Sequence, residues 1–242
     1  MSKVANIYSS IIRFARNNKC IYSVVHFFRK KSADRSFKKS LENFHLYGLE
    51  ALTRFNDCME VHGYKYSLAF GTLLGAIREH DFIPHDDDID VAMWYGDFNE
   101  GIITDLANVG IKLVHSFSVD NDRIGKELTF EYRKVLIDIF FFYKDSDGVY
   151  CCDFINFPGC STRKDSVREY GGLLPRKLYL PFSDSLKRVS FKSITVSIPA
   201  NYDEILSFRY GPDYMTPKPG WKPKTDSIQE MNNCIGVIKS YK

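Results

Sequence analysis

Apolar residues recur along the chain with two periods, and the changes between them divide it into elements. Over residues 4–16, Val4, Ile7, Tyr8, Ile11, Ile12 and Ala15 fall at helical spacing with basic residues between them. The stretch CIYSVVHFFRKK then joins an apolar run to a basic cluster. A second helical series holds Leu41, Phe44, Gly48, Leu52, Phe55 and Met59, and Gly63 is placed to stop it. YKYSLAF alternates Tyr64, Tyr66, Leu68 and Phe70, as a strand does, and GTLLGAIRE predicts a turn and a short helix. DIDVAM reads as a strand, and YRKVLIDIFFFY as a third strand, apolar enough to be buried on both faces. VSFKSITVSIP alternates again. NYDEILSFRYG predicts a helix capped by Asn201, with acids in its first turn and Gly211 past its end. GPDYMTPKPGWKPK is a Pro- and Gly-rich loop. With no repeat and no internal linker, this mixture predicts one α+β domain over residues 41–242, preceded by a basic segment over residues 1–40.

Composition changes this picture little, except in how charge is distributed. The 242 residues can bury one sizeable core, and the 19 Phe and 15 Tyr suit a packed interior and a stacking pocket equally. Net charge is only +3, yet residues 1–40 carry ten Lys and Arg against Asp34 alone. An amphipathic basic helix there can lie on anionic headgroups, so residues 1–31 are a candidate membrane-contact segment. No early apolar run reads as a signal peptide, none is long enough to span a bilayer, and the six cysteines form no disulfide framework. These features predict a cytoplasmic protein, peripheral at the inner face of the cell membrane. Away from the N-terminus the chain is acidic and lacks a nucleic-acid reading motif, so no nucleic-acid partner is expected.

The candidate chemistry lies in HDDDIDV, where Asp86, Asp87, Asp88 and Asp90 share five positions. Side chains alternate along a strand, so Ile89, Val91 and Met93 point one way and Asp88 and Asp90 the other, roughly 6–7 Å apart. Asp138 is the only ionisable residue in VLIDIFFF, and a carboxylate buried without a partner costs several kcal/mol. If the two strands are neighbours, Asp88, Asp90 and Asp138 converge on one cation, and oxygen-only ligands point to Mg²⁺ or Mn²⁺. Asp86 extends the candidate metal set. The acids also approach a calcium-loop pattern, with Asp86, Asp88, Asp90 and Asp97 at positions one, three, five and twelve. Val91 stands where that loop needs Gly, which argues against it. Gly71-Thr72 ahead of the acids would let a phosphate approach the N–H groups of a helix start.

GTLLGAIREHDFIPHDDDIDV, LIDIFFF and VSFKSITVSIPANYDEILSFRYGPDYMTP together resemble the motifs of the LicD family, which includes the fukutin-related proteins. The likeness runs from about Tyr64 to Trp221. It departs at His85, where the family usually has Trp, and at Phe141, where it usually has Pro. The resemblance implies a core like the nucleotidyltransferase fold of DNA polymerase beta. It also implies transfer of a phospho-alcohol from a CDP-activated donor to a sugar hydroxyl of a glycan acceptor, releasing CMP. Phosphocholine is the first expectation for the cargo, with ribitol phosphate or glycerol phosphate as alternatives. Nucleotidyl transfer from an NTP uses the same three acids and stays open. On this reading Asp88, Asp90 and Asp138 are catalytic and hold the metal, and Asp138 accepts the proton of the incoming hydroxyl. Gly71, Thr72, Arg78, Asp87, Arg133, Tyr210 and Gly211 are the candidate substrate contacts. Some relatives carry a structural zinc. The spacing of Cys151, Cys152 and Cys160 matches no standard zinc pair, which favours buried free thiols.

Overall fold

The computed structural model describes residues 19–218 and 226–241, with side chains described from residue 35 onward. The helix expected over residues 4–16 lies outside the described residues, as do the side chains on which the membrane-contact reading of residues 1–31 depends. The first described element, α1, spans Lys19–His62 and runs unbroken through residues 40 and 41. Its predicted apolar series faces the core: Phe44, Leu52, Phe55 and Met59 are all buried, whereas Leu41 is partly exposed. At 25 cal/mol per Å² of apolar area, each of these large side chains is worth roughly 1.5–3 kcal/mol.

After α1 come β1 (Ser67–Leu68), α2 (Phe70–Arg78), β2 (Asp88–Trp94), α3 (Gly101–Asn108), β3 (Lys112–Val119) and β4 (Gly125–Tyr132). Then follow β5 (Val135–Lys144), β6 (Val149–Ile155), α4 (Arg163–Tyr170) and β7 (Leu174–Tyr179). The last elements are β8 (Leu186–Phe191), β9 (Ile194–Pro199), α5 (Tyr202–Tyr210), β10 (Ile228–Glu230) and β11 (Val237–Ser240). Nine strands form one sheet in the order β10-β7-β6-β5-β4-β3-β11, with β2 added beside β5 and β1 beside β2. The pairing is antiparallel except between β2 and β5, which run parallel with Asp90 opposite Asp138. Strands β8 and β9 make a separate hairpin. No described helix is long and apolar enough to cross a membrane.

Four local expectations are corrected. YRKVLIDIFFFY is not one strand: Arg133 and Lys134 adopt φ of 48° and 69° and turn the chain from β4 into β5. That turn uses left-handed backbone without Gly or Asn, the residues that normally announce it. Nor is β5 buried on both faces. Ile137, Ile139 and Phe141 are sealed in the core, whereas Leu136, Asp138 and Phe140 are partly open. YKYSLAF keeps only Ser67–Leu68 as strand, because Phe70 already opens α2. VSFKSITVSIP folds back on itself at Lys192 (φ 49°) to give β8 and β9. Asn201 does stand at the N-cap of α5, but its amide donates to the Pro181 carbonyl (2.6 Å) and to Glu204 (3.0 Å) rather than its carbonyl accepting from the helix.

Candidate active site

The alternation within β2 is as the sequence predicts. Ile89 and Val91 are wholly buried on the helix-covered face, and Asp88 and Asp90 lie on the other face with partial exposure. Because β5 runs parallel beside β2 in register, Asp138 falls on the same face, directly opposite Asp90. One oxygen from each of Asp88, Asp90 and Asp138 lies within 4.8 Å of the others. This is the only such cluster of three or more metal-ligating side chains among the described residues. Asp86 stands outside the group and packs against Gly71 instead. A Cβ on Gly71 would come within 2.8 Å of an Asp86 carboxylate oxygen, so only glycine admits the acid at that distance.

Helix α2 fixes Asp90 from two sides. Its backbone N–H donates to the Thr72 hydroxyl (2.9 Å), and its carbonyl accepts from the Ala69 N–H (3.0 Å). The Gly71 N–H favours the charged form of the Asp90 carboxylate. Thus the Gly-Thr pair braces the acid strand directly. Thr72 is completely buried, which gives it a structural task in place of the phosphate contact expected for it.

The carboxylates are held at electrostatic cost. Burial, followed by the charge of Asp138, pushes Asp88 up to about 6. Burial and the charges of Asp88 and Asp87 push Asp86 up to about 7, with Arg78 pulling it down. Asp90 lies well above the usual carboxylate range through burial and the charges of Asp88, Asp138 and Asp86. Asp138 is raised by burial against the opposing pull of Thr129 and Arg163. Asp86 Oδ2 and Asp138 Oδ1 are sealed from solvent with no hydrogen-bond partner. A group of carboxylates with orphaned oxygens and raised pKa values is the donor set that a hard divalent cation suits. The residues present therefore fit such an ion.

Beside the acids a pocket of about 400 Å³ opens between Gly71, Arg78, Asp86, Tyr210, Tyr214 and Lys218. The Arg78 side chain is only 10% exposed, and its guanidinium donates to Glu79 (2.7 Å) and to the Tyr214 carbonyl (3.4 Å). Gly211, at φ 99°, ends α5 and turns the chain so that Tyr214 and Lys218 reach this pocket. Burial, then the charge of Asp90, pushes the Tyr210 hydroxyl up. Asp87 is half-buried at the start of β2 and adds its charge to Asp86 and Asp88. Arg133 is not brought to the site. It pairs with Glu50 (3.4 Å) on α1 and lies over the rings of Tyr47 and Tyr132.

Three residues that sequence reasoning passed over belong to this region. Glu127 on β4 is buried, and burial and then the charge of Asp138 hold it well above its ordinary value. GKELTFEY alternates, so its acids read as a solvated face, and only the tertiary fold covers them. Arg209 and Tyr214 lie within the quoted motifs, but no spacing rule singles them out. The cysteines, for their part, form no metal cluster among the described residues. Cys151 and Cys152 are buried free thiols on opposite faces of β6, and Cys160 lies within 3.6 Å of Glu169.

A carboxylate triad carried on two parallel strands, with a polar-aromatic pocket nearby, defines a candidate divalent-cation active site. Residues 63–201 match the family model described as LicD/FKTN/FKRP, nucleotidyltransferase domain, and the chain belongs to this family. It is 26% identical over 180 residues to the human protein named ribitol-5-phosphate transferase FKTN, covering 74% of this chain and 35% of that one. It is 48% identical over 56 residues to the lipopolysaccharide cholinephosphotransferase LicD of Haemophilus influenzae, covering 23% of this chain and 21% of that one. The chain thus spans about a third of the length of the ribitol-5-phosphate transferase FKTN sequences it matches (35%).

Proposed function

We propose that this chain transfers a phospho-alcohol from a CDP-activated donor to a sugar hydroxyl of a cell-surface glycan, releasing CMP, on a nucleotidyltransferase-like core. The observation that carries the reading is the three-carboxylate cluster, linked to the 400 Å³ pocket through Gly71, which lines the pocket and whose N–H serves Asp90. Asp88, Asp90 and Asp138 would hold a divalent cation, Mg²⁺ or Mn²⁺, which supplies neutralisation of the donor diphosphate. Tyr210 and Tyr214 offer stacking surfaces for a base, and Arg78 and Lys218 offer positive charge at the same pocket. Asp138, raised in pKa and with one oxygen unpartnered, accepts the proton of the attacking hydroxyl. Asp87 and Asp86 shape the field at the pocket mouth.

Phosphocholine is the first cargo to test. Ribitol phosphate is the second, favoured by the longer match to a ribitol-5-phosphate transferase. The test follows CMP release and acceptor mass with CDP-choline, CDP-ribitol and CDP-glycerol in the presence of a glycan acceptor. Metal-dependent CMP release, with the acceptor gaining the phospho-alcohol mass, is the expected result. An acceptor heavier by a nucleotide after incubation with CTP or ATP would overturn it in favour of nucleotidyl transfer.

A further inference from the structure

Arg209, the residue before the end of α5, has no part in the reading above. Arg209 is partly exposed as a residue, but its Nε and Nη1 are sealed from solvent without a hydrogen-bond partner. The guanidinium lies over the Phe70 ring, 5.7 Å from its centre. A guanidinium does not lose its proton in a protein, so burial cannot be relieved by neutralisation, as it can for a carboxylate. The slot behind it, bounded by Phe70, Phe142, Leu180 and Phe182, encloses about 10 Å³, room for about one water. One water does not balance a permanent charge.

The position of this cation relative to the acids gives it a use. Phe70 is held at φ 42°, a conformation that costs a non-glycine residue of order 1 kcal/mol and clusters at functional sites. Its ring meets Phe140 edge-on at 4.8 Å. Phe140 stands two residues beyond Asp138 on the same face of β5, and Tyr210, next to Arg209, feels the charges of Asp90 and Asp86. The rings of Phe70 and Phe140 thus link the guanidinium to the strand that carries Asp138, one of the carboxylates that would repel an anionic donor.

We propose that Arg209 binds the non-bridging phosphate oxygens of the donor diphosphate, its long side chain pivoting over the Phe70 ring to meet them. This rests on the phospho-alcohol reading for the identity of the donor, but the anion site itself does not need it. A planar guanidinium recognises two phosphate oxygens at once, which a lysine ammonium cannot do.

The test measures binding of inorganic pyrophosphate and of the uncharged nucleoside cytidine, with magnesium present, to the wild-type chain, Arg209→Gln and Arg209→Lys. Pyrophosphate affinity should fall about tenfold or more in Arg209→Gln and by a smaller factor in Arg209→Lys, with cytidine binding unchanged in both. Absence of pyrophosphate binding to the wild type overturns the proposal, and so does equal affinity in wild type and variants. A parallel loss of cytidine binding would assign Arg209 a structural role and equally overturn it. If Arg209→Gln does not fold, Arg209→Lys decides by the same criteria. An Arg209-dependent pyrophosphate site in a protein that releases CMP from no CDP-alcohol would sink the proposed function and leave the anion site standing.

Discussion

Beyond β5 the sheet gives its acids cations. Asp153 on β6 faces Arg176 on β7 and accepts from its Nε at 2.9 Å. Asp145, just past β5, accepts from Lys177 and from the Tyr179 hydroxyl. Burial works against the charge of Asp145, but Lys177, the Asp147 N–H and Tyr179 together bring it below the usual carboxylate range. On β2 and β5 of the same sheet, Asp88, Asp90 and Asp138 have one another for neighbours, and their pKa values are displaced upward. One chain thus contains both solutions to a carboxylate leaving water. The first is complete within the protein, whereas the second leaves Asp138 Oδ1 sealed without a hydrogen-bond partner. The contrast teaches that one fold leaves one group of acids without a cation of its own while pairing those next door, which is the ground for the proposed cation site.

The largest effect should come from removing that site's charge. Asp90→Asn and Asp138→Asn are each expected to lower turnover by about 10³-fold or more, because a lost ligand removes several kcal/mol of transition-state stabilisation. The metal-free variants should at the same time melt higher than wild type near neutral pH, since each removes a repelled buried charge. Calorimetry with chelator and a CMP-release assay check both halves. An Asp138→Asn enzyme with near-normal turnover would remove the difference drawn between the two regions.

A smaller effect tests the electrostatics alone. Asp88 and Asp86 titrate near 6 and 7 in the folded chain, above their ordinary value near 4. Groups raised in this way stabilise the fold below the unfolded pKa, and that contribution is lost as pH rises through the folded one. The metal-free protein should therefore lose stability between about pH 4 and pH 7. Asp86→Asn should recover roughly 2–4 kcal/mol of that loss at the upper end. Denaturant titrations at a series of pH values decide it, and parallel curves for wild type and variant would count against the assignment.

The smallest effect belongs to the paired side. Arg176→Met is expected to cost about 1 kcal/mol of stability, as partly exposed ion pairs do, and to leave CMP release per folded molecule within about twofold. A large loss of turnover there would mean that the two regions are coupled and the comparison is false.

The sequence made the acid side easier to read than the rest of its pocket, for a physical reason. Period-two alternation around Asp88 and Asp90, and one carboxylate in an apolar run at Asp138, are local signals, and the parallel register simply added them together. Helix α1 beyond Leu41 and the stop at Gly211 were legible on the same local grounds. The turn at Arg133–Lys134 was not, because its residues carry no turn signature. Arg133 consequently looked like a phosphate contact, whereas the fold gives it to Glu50, Tyr47 and Tyr132. Glu127 and Arg209 owe their character to residues distant in the chain, which no window along it contains.

The parallel seam between β2 and β5 also bears on how the molecule assembles. Strands β3, β4 and β5 join through short turns and can zip together early, since closing a short loop costs little entropy. Strand β2, separated from β5 in the chain by β3 and β4, would dock on β5 alone after them, and Asp90 meets Asp138 at that pairing. The mutual repulsion of the acids is thus expected to be met late in folding, and refolding rates of Asp90→Asn against wild type would check it. A divalent cation present during folding would lower it, so an ion held by the three acids would also hasten the closing of the sheet.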